Sequence, residues 1–299
     1  MIDFLKYRGI AAAISLSIIG AFIGTYIYRV QRGEEALKFS VDFTGGTQIR
    51  FKFDKPVTST DLKLILANTE WPNANVLEFP PSEALVRVQA FSSDAQGLAV
   101  KMKDAIEKER PGLKAEILQS ESVGSTIGEA LRMRSLKAIL LALLAMLIYI
   151  VLRFRSIGFA LGAVVALFHD ALIILASFMF FGKEISVNVI MAILAILGYS
   201  INDTIVIFTQ IRKNIKHMHG DSLRNIVNTS INQMLRRTLL TSISTGLTVG
   251  ALYFLGGEIL HNLSFALLVG IIFGTYSSIY IASPVMMLFY KEKTNKVTH

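Results

Sequence analysis

Six runs of apolar residues long enough to cross a bilayer are spread along the chain, the first set apart from the other five by a stretch of about a hundred residues with a different period. A membrane-crossing helix needs about 20 such residues. The runs are Gly9–Tyr28, about Leu136–Leu152, about Ser156–Phe181, about Ile185–Phe208, about Arg237–Leu255 and about Asn262–Tyr290. The first carries no charge and exceeds the apolar core of a signal peptide, about 7–15 residues, so a retained anchor is expected. The last exceeds one straight span, and Pro284 is placed to kink or end it, because proline lacks the N–H a helix interior needs.

Between the first and second runs the pattern becomes mixed. Thr47, Ile49, Phe51 and Phe53 alternate with polar residues, as a half-buried strand does. Thr58–Asp61 offers N-cap residues for a short helix through about Thr69. Asn75–Phe79 and Ala84–Gln89 read as strands joined across Pro80, Pro81 and Ser82. Ser93 or Asp94 caps a second helix with Leu98, Met102, Ala105 and Ile106 on one face, and Ala115–Ser120 is a last strand. The order β-α-β-β-α-β predicts a ferredoxin-like α+β domain. The expected fold class is therefore a polytopic α-helical membrane protein with six transmembrane helices and one ferredoxin-like domain outside the membrane. The expected organisation is 1–28 (N-terminus and first helix), 29–135 (outer domain), 136–290 (helices two to six, with a basic loop about 210–236) and a tail, 291–299.

Composition agrees. The chain is 53% hydrophobic and 17% charged, with a mean hydropathy of +0.52, whereas soluble domains are about a quarter charged. With no cysteine, disulfides, thiolate metal sites and cysteine nucleophiles are excluded. The net charge of +8 is topological. Residues 29–135 hold fifteen Lys/Arg and fifteen Asp/Glu, so the excess lies elsewhere. Lys6, Arg8, Arg153, Arg155, Arg212, Lys213, Lys216, Arg224, Arg236, Lys291, Lys293 and Lys296 all fall on one side of the spans. The other short loops carry only Lys183 with Glu184, and Glu258. The positive-inside rule then puts both termini in the cytoplasm and the 29–135 domain outside. No nucleic-acid partner is implied. The basic amphipathic stretch Gln210–Leu235 is expected to lie on the inner membrane surface.

Candidate chemistry is confined to ionisable groups in hydrocarbon, each costing about 2.5–3.5 kcal/mol at a helix centre. Asp203 stands about five residues inside the fourth run, and Arg237 opens the fifth at the same side, followed by Thr238, Thr241 and Ser242 on a polar face. An arginine beside an aspartate holds it ionised, and losing that contact favours the protonated acid. The pair reads either as a proton relay or as a static ion pair, with Arg236 as a rival partner. His169, Asp170, Asn202, Thr204 and Thr241 form a candidate secondary polar path. Adjacent helical residues point about 100° apart, so His169 and Asp170 do not make a metal site; packing of polar groups between helices is the alternative. Gly45-Gly46 lacks the Gly-Lys-Ser/Thr of a phosphate loop and reads as a tight turn. No cofactor, metal or catalytic constellation is expected, and so no enzyme. Gly158 with Gly162, and Gly270 with Gly274, have the spacing of close helix contacts.

Several of these segments together resemble a known family. Val41–Thr47, Val123–Glu129, Phe168–Asp170, Gly198–Asp203, Leu235–Thr238 and Gly274–Ser283 are similar, in order along the chain, to motifs of SecF-type members of the SecD/SecF protein-export family, within the resistance-nodulation-division superfamily. The resemblance implies a bacterial inner-membrane subunit that pairs with SecD beside the SecYEG channel, with YajC as a further associate. It implies that the subunit uses the proton motive force to help draw unfolded preproteins across after the ATP-driven step. It also implies that Asp203 is the essential membrane acid and Arg237 its basic partner. Relatives often place an acid near Gln210, which this chain lacks. A purely structural role beside SecD, and one half of a small-molecule exporter, are the competing readings.

Overall fold

A computed structural model describes residues 1–79, 81–218 and 220–290, with residues 258 and 259 described in their backbone only. Pro80, His219, the Glu258 side chain and the 291–299 tail with its three lysines lie outside the described residues. In chain order the helices are α1 (Arg8–Gln31), α2 (Val41–Thr44), α3 (Ser59–Ala67), α4 (Ala95–Glu109), α5 (Ser125–Phe154), α6 (Ile157–Phe180), α7 (Val187–His217), α8 (Leu223–Leu255), α9 (Gly257–Ser277) and α10 (Ser283–Phe289). The strands of the sheet are β1 (Gly46–Phe53), β2 (Asn75–Phe79), β3 (Glu83–Val88) and β4 (Ala115–Val123). Two compact units result, Phe39–Leu136 and Met1–Lys38 with Lys137–His299.

The smaller unit is built on alternation. Ile49, Phe51 and Phe53 of β1 point into a core with Val76, Val86, Leu62, Leu66, Met102 and Ile106. The Thr58 side chain accepts from the Asp61 N–H and Asp94 from the Gly97 N–H, so both helices start at N-cap residues singled out by the sequence. The sheet order is β2-β3-β1-β4, with each neighbouring pair antiparallel. That order, with α3 and α4 as the two crossovers, is consistent with the expected split-βαβ arrangement. Strand β4 runs three residues beyond its expected end because Gly46 pairs with Val123, and Thr47 Oγ1 meets Ser122 Oγ at 2.8 Å. Gly45 and Gly46 have φ of +75° and +114°. A Cβ on Gly45 would stand 2.7 Å from the Ser125 Cα, and one on Gly46 2.5 Å from the Val88 carbonyl oxygen. The tight turn therefore also seats the start of α5 against β1.

The larger unit holds α1, α6 to α10 and most of α5, and six helices of the chain have the length and composition to cross a membrane. Helix α6 is the most enclosed, with 67% of its apolar window buried against 6% for α5. Arg155, at φ +51°, reverses the chain between α5 and α6, where Phe154 stacks on Phe159 and both rings meet the edge of Phe208. The small-residue pairs sit at helix crossings. A Cβ on Gly162 would come within 2.5 Å of the Ala282 carbonyl oxygen, and one on Gly270 within 2.5 Å of Ile196.

Three further segments add to or differ from expectation. Helix α5 begins eleven residues earlier than its apolar run, because Ser125–Ser135 carries charges that hide a helix from a hydropathy reading but do not prevent one. The segment from Gln210 to Leu235 is neither a loop nor one surface helix. It is the end of α7, at His217, and the beginning of α8, at Leu223, with Ile211, Ile226, Val227 and Ile231 buried in protein. Amides cross this contact, Asn214 Nδ2 donating to Ser230 Oγ at 2.8 Å and Gln210 Nε2 to Gln233 Oε1 at 2.6 Å. The amphipathic period was legible; its partner was not. In the last span the helix widens to a π-turn at Ser278–Ala282 and resumes as α10 with Pro284 in its first turn. The wider turn absorbs the missing N–H and the clash of the proline ring with the preceding turn.

Gly162→Ala is expected to lower stability by about 1–3 kcal/mol through overpacking. Gly20→Ala, whose Cβ meets nothing within 4 Å, is expected to cause no loss; thermal unfolding of the purified protein in detergent compares them.

Candidate functional site

Two buried acids lie in the larger unit, on neighbouring helices and in unlike surroundings. Asp170, on the enclosed helix α6, is fully buried. Ser200 Oγ of α7 donates to its Oδ2 at 2.6 Å, and Ser277 Oγ of α9 donates to the same oxygen at 2.9 Å. Its Oδ1 lies 3.0 Å from His169 Nδ1. The rings of His169 and Tyr276 stack at 6.1 Å, and His169 Nε2 is 3.0 Å from Ser15 Oγ of α1. The adjacent His169 and Asp170 side chains thus converge on each other, although successive Cα–Cβ vectors on a helix diverge. The close approach depends on Gly274, where a Cβ would stand 3.0 Å from that of Ser200 and 3.6 Å from Asp170 Oδ2.

Asp203 is only 4% exposed and has, among the described residues, a single hydrogen bond. Ser242 Oγ of α8 donates to its Oδ2 over 3.4 Å. That hydroxyl is shared, because Thr275 Oγ1 of α9 stands 2.7 Å away, a closer partner. One turn earlier on the same face of α8, Thr238 Oγ1 is buried with no hydrogen-bond partner among the described residues. Asp203 is therefore a buried carboxylate with little direct compensation. Among the described residues no ion pair within 4.0 Å joins it to Arg237. Arg237 is exposed.

The remaining candidates are dispersed. Thr204 is buried and meets Ser278 Oγ of the π-turn at 2.9 Å, so it ties α7 to the last span. Asn202 is exposed, on the other side of α7. Thr241 is exposed and donates back to the Arg237 and Thr238 carbonyls of its own helix, so it does not reach Asp203. Among the described residues no three His, Asp or Glu side chains gather as a metal set would require. Residue spacing did not single out Ser15, Ser200, Thr275, Tyr276, Ser277 or Ser278. A signal existed for four of them, since Thr275–Ser278 is a run of hydroxyls inside an apolar span. Ser15 gave none, because a lone serine in a span ordinarily bonds to its own helix.

The two acids should respond differently to loss of a donor. Ser200→Ala is expected to destabilise the protein by about 1.5–2 kcal/mol, the range of a strong buried bond to a charged group. Ser242→Ala should cost less than about 0.6 kcal/mol, a typical intramembrane bond. Equal losses in thermal unfolding would contradict the contrast drawn between the sites.

Comparison with known proteins is consistent along the whole chain. Residues 101–292 match the C-terminal family of the SecD/SecF protein export membrane proteins, and residues 36–57, with the Gly45-Gly46 turn, match the SecD/SecF GG motif. The protein translocase subunit SecF of Thermodesulfovibrio yellowstonii is 38% identical over 300 residues, covering 99% of this chain and 97% of that one. That of Pseudomonas aeruginosa is 37% identical over 287 residues, covering 96% and 90%. The crystal structure of SecDF, a translocon-associated membrane protein from Thermus thermophilus, superposes with a TM-score of 0.85 at 34% identity, over 96% of this chain. SecDF in a super-membrane-facing form gives 0.68. This chain spans 38% of that longer SecDF chain. With six membrane-length helices, a mixed α+β unit and full-length similarity to translocase subunits, the chain belongs to the SecF family of the SecD/SecF protein export membrane proteins.

Proposed function

We propose that this subunit works with SecD to couple inward proton flow to preprotein translocation beside the SecYEG channel, after the ATP-driven step, with Asp203 as the proton carrier. The observation that carries the reading is the poor compensation of the Asp203 carboxylate, buried with one long hydrogen bond. A charge in that position is expensive in hydrocarbon, and accepting a proton removes the expense. Arg237 favours the ionised state from a distance. When Asp203 is neutral that attraction disappears, and Ser242 is left to its closer partner Thr275. The hold of the Asp203 turn of α7 on α8 is then weaker, and the two helices can repack about it.

The energies are matched in size. One charge moved through 100 mV carries about 2.3 kcal/mol, comparable with a typical coupling free energy of about 1–3 kcal/mol between two sites. The asymmetry of basic loops supports cytoplasmic termini in a bacterial inner membrane and an outer location for residues 29–135. On that orientation the proton enters from the outer side and YajC, SecYEG and the unfolded preprotein are the partners. The separation of Arg237 from Asp203 speaks against a static ion pair that serves only to lock α7 to α8.

Translocation into inverted membrane vesicles with SecD present tests the reading. Asp203→Asn keeps the shape of the side chain and should assemble normally. It is expected to lose the stimulation that the proton gradient gives the wild type, so that a protonophore changes nothing further. Full retention of that stimulation would exclude Asp203 as the carrier. Arg237→Lys keeps the field and should retain about half of the stimulation, whereas Arg237→Ala should retain less than about a tenth, since a tenfold change corresponds to about 1.4 kcal/mol of lost coupling.

A further inference from the structure

The other buried titratable pair, His169 and Asp170, is not used by the Asp203 mechanism, and the hydroxyls around it carry a proton count of their own. The sequence of contacts is Asp170 Oδ1 to His169 Nδ1 at 3.0 Å, His169 Nε2 to Ser15 Oγ at 3.0 Å, Ser15 Oγ to Tyr276 Oη at 3.1 Å, and Tyr276 Oη to the Ala11 carbonyl oxygen at 2.7 Å. A carbonyl oxygen only accepts, so the Tyr276 hydroxyl donates to Ala11. Each hydroxyl has one proton. Ser15 must then donate to Tyr276, and the only group left to donate to Ser15 is His169 Nε2. At the other end Oδ2 already receives Ser200 and Ser277, so the contact of Asp170 with His169 holds its proton between Oδ1 and Nδ1. Every contact is satisfied at once only when Nε2 carries a proton and a second proton lies between Nδ1 and Oδ1, either as an imidazolium with a carboxylate or as a neutral ring with a carboxylic acid.

We propose that His169 and Asp170 together form a proton-binding site whose occupancy is passed to α1 through the hydroxyls of Ser15 and Tyr276. Release of one proton leaves a carboxylate that keeps the Nδ1 proton as its donor, leaves Nε2 bare and so reverses the chain of donors. Ser15 then turns its proton to the bare nitrogen, Tyr276 turns its own to Ser15, and the Ala11 carbonyl loses its extra bond. Both arrangements need only rotation of two hydroxyls. Among the described residues the titratable groups facing His169 are Asp170 on its own helix and Tyr276 on α9. Helices α1 and α7 present the neutral Ser15 and Ser200, and no lysine, arginine or glutamate touches the pair. With that proton bound the pair is neutral overall, far cheaper to enclose than a lone ion. The consequence is a bond between α1 and α9, from Tyr276 to the Ala11 carbonyl, that exists only while the pair holds its proton. This holds whether or not Asp203 carries the coupled proton.

Nitrogen-15 NMR of the histidine rings reads the site directly, on the full chain in lipid bilayers. The protein has five histidines, so the His169 signal is identified as the one lost in His169→Gln. A second preparation with the other four changed to Gln leaves His169 alone and serves if the first does not fold. In the wild type at about pH 7 His169 Nε2 is expected to carry a proton, donated to Ser15. Ser15→Ala removes the acceptor of that proton and should lower the ratio of rings protonated on Nε2 to rings bare there about tenfold. A wild-type ring protonated on Nδ1 alone at about pH 7 overturns the proposal. An Nε2 signal unchanged in Ser15→Ala overturns the link to α1. Neither readout depends on translocation, so failure here is separable from failure of the Asp203 mechanism.

Discussion

A carboxylate between membrane helices must find its hydrogen-bond donors from neighbouring helices, because hydrocarbon supplies none. Asp170 does so: Ser200 and Ser277 bring α7 and α9 to it, and His169 continues the network to α1. The enclosed position of α6 in the larger unit agrees with this, since it is the helix from which Asp170 and His169 together reach three others. Hydroxyls on short side chains act only over short distances, so these helices must also pack closely. Gly162 and Gly270 provide that closeness, leaving no room for a Cβ, and Gly158 and Gly274 leave one a tight 3.0 Å. Polar satisfaction and small-residue packing are therefore one requirement seen from two sides.

Asp203 departs from that rule on an adjacent helix, and the departure has a cost. A fully satisfied buried network rigidifies a structure, whereas an under-satisfied group is a store of free energy that a proton can release. Among the described residues there is one such acid of each kind, on neighbouring helices and both within the same bundle. One fixes the arrangement of α1, α6, α7 and α9; the other, at the contact of α7 and α8, is free to change its state. The π-turn at Ser278–Ala282 lies beside the second of these through Thr204 and Ser278, and wide turns of this kind are common where helices have to adjust.

The six spans, the α+β order and the caps at Thr58 and Asp94 were legible in the sequence, since each rests on local period or on a residue type with one favoured place. The two acids were legible for the same reason, as charges where charge is expensive. What was not legible depended on neighbours distant in the chain. Ser15 looked like any serine in a span, and only the fold shows that His169 faces it from 154 residues away. Ile211 and Ile231 had the period of a surface helix, but the protein supplied their partner instead of the membrane. Arg237 and Asp203 share one end of adjacent spans in the sequence, yet their side chains do not meet, because register between helices sets that distance and no single helix encodes it.

The central claim is that Asp203 exchanges a proton while Asp170 is held by its donors. Infrared difference spectroscopy of the full chain in bilayers, taken between acidic and neutral pH, measures this through the carbonyl stretch of a protonated carboxylic acid. A band that appears on acidification, vanishes in Asp203→Asn and survives in Asp170→Asn is the predicted result. A band that survives in Asp203→Asn and vanishes in Asp170→Asn would reverse the assignment and contradict the account.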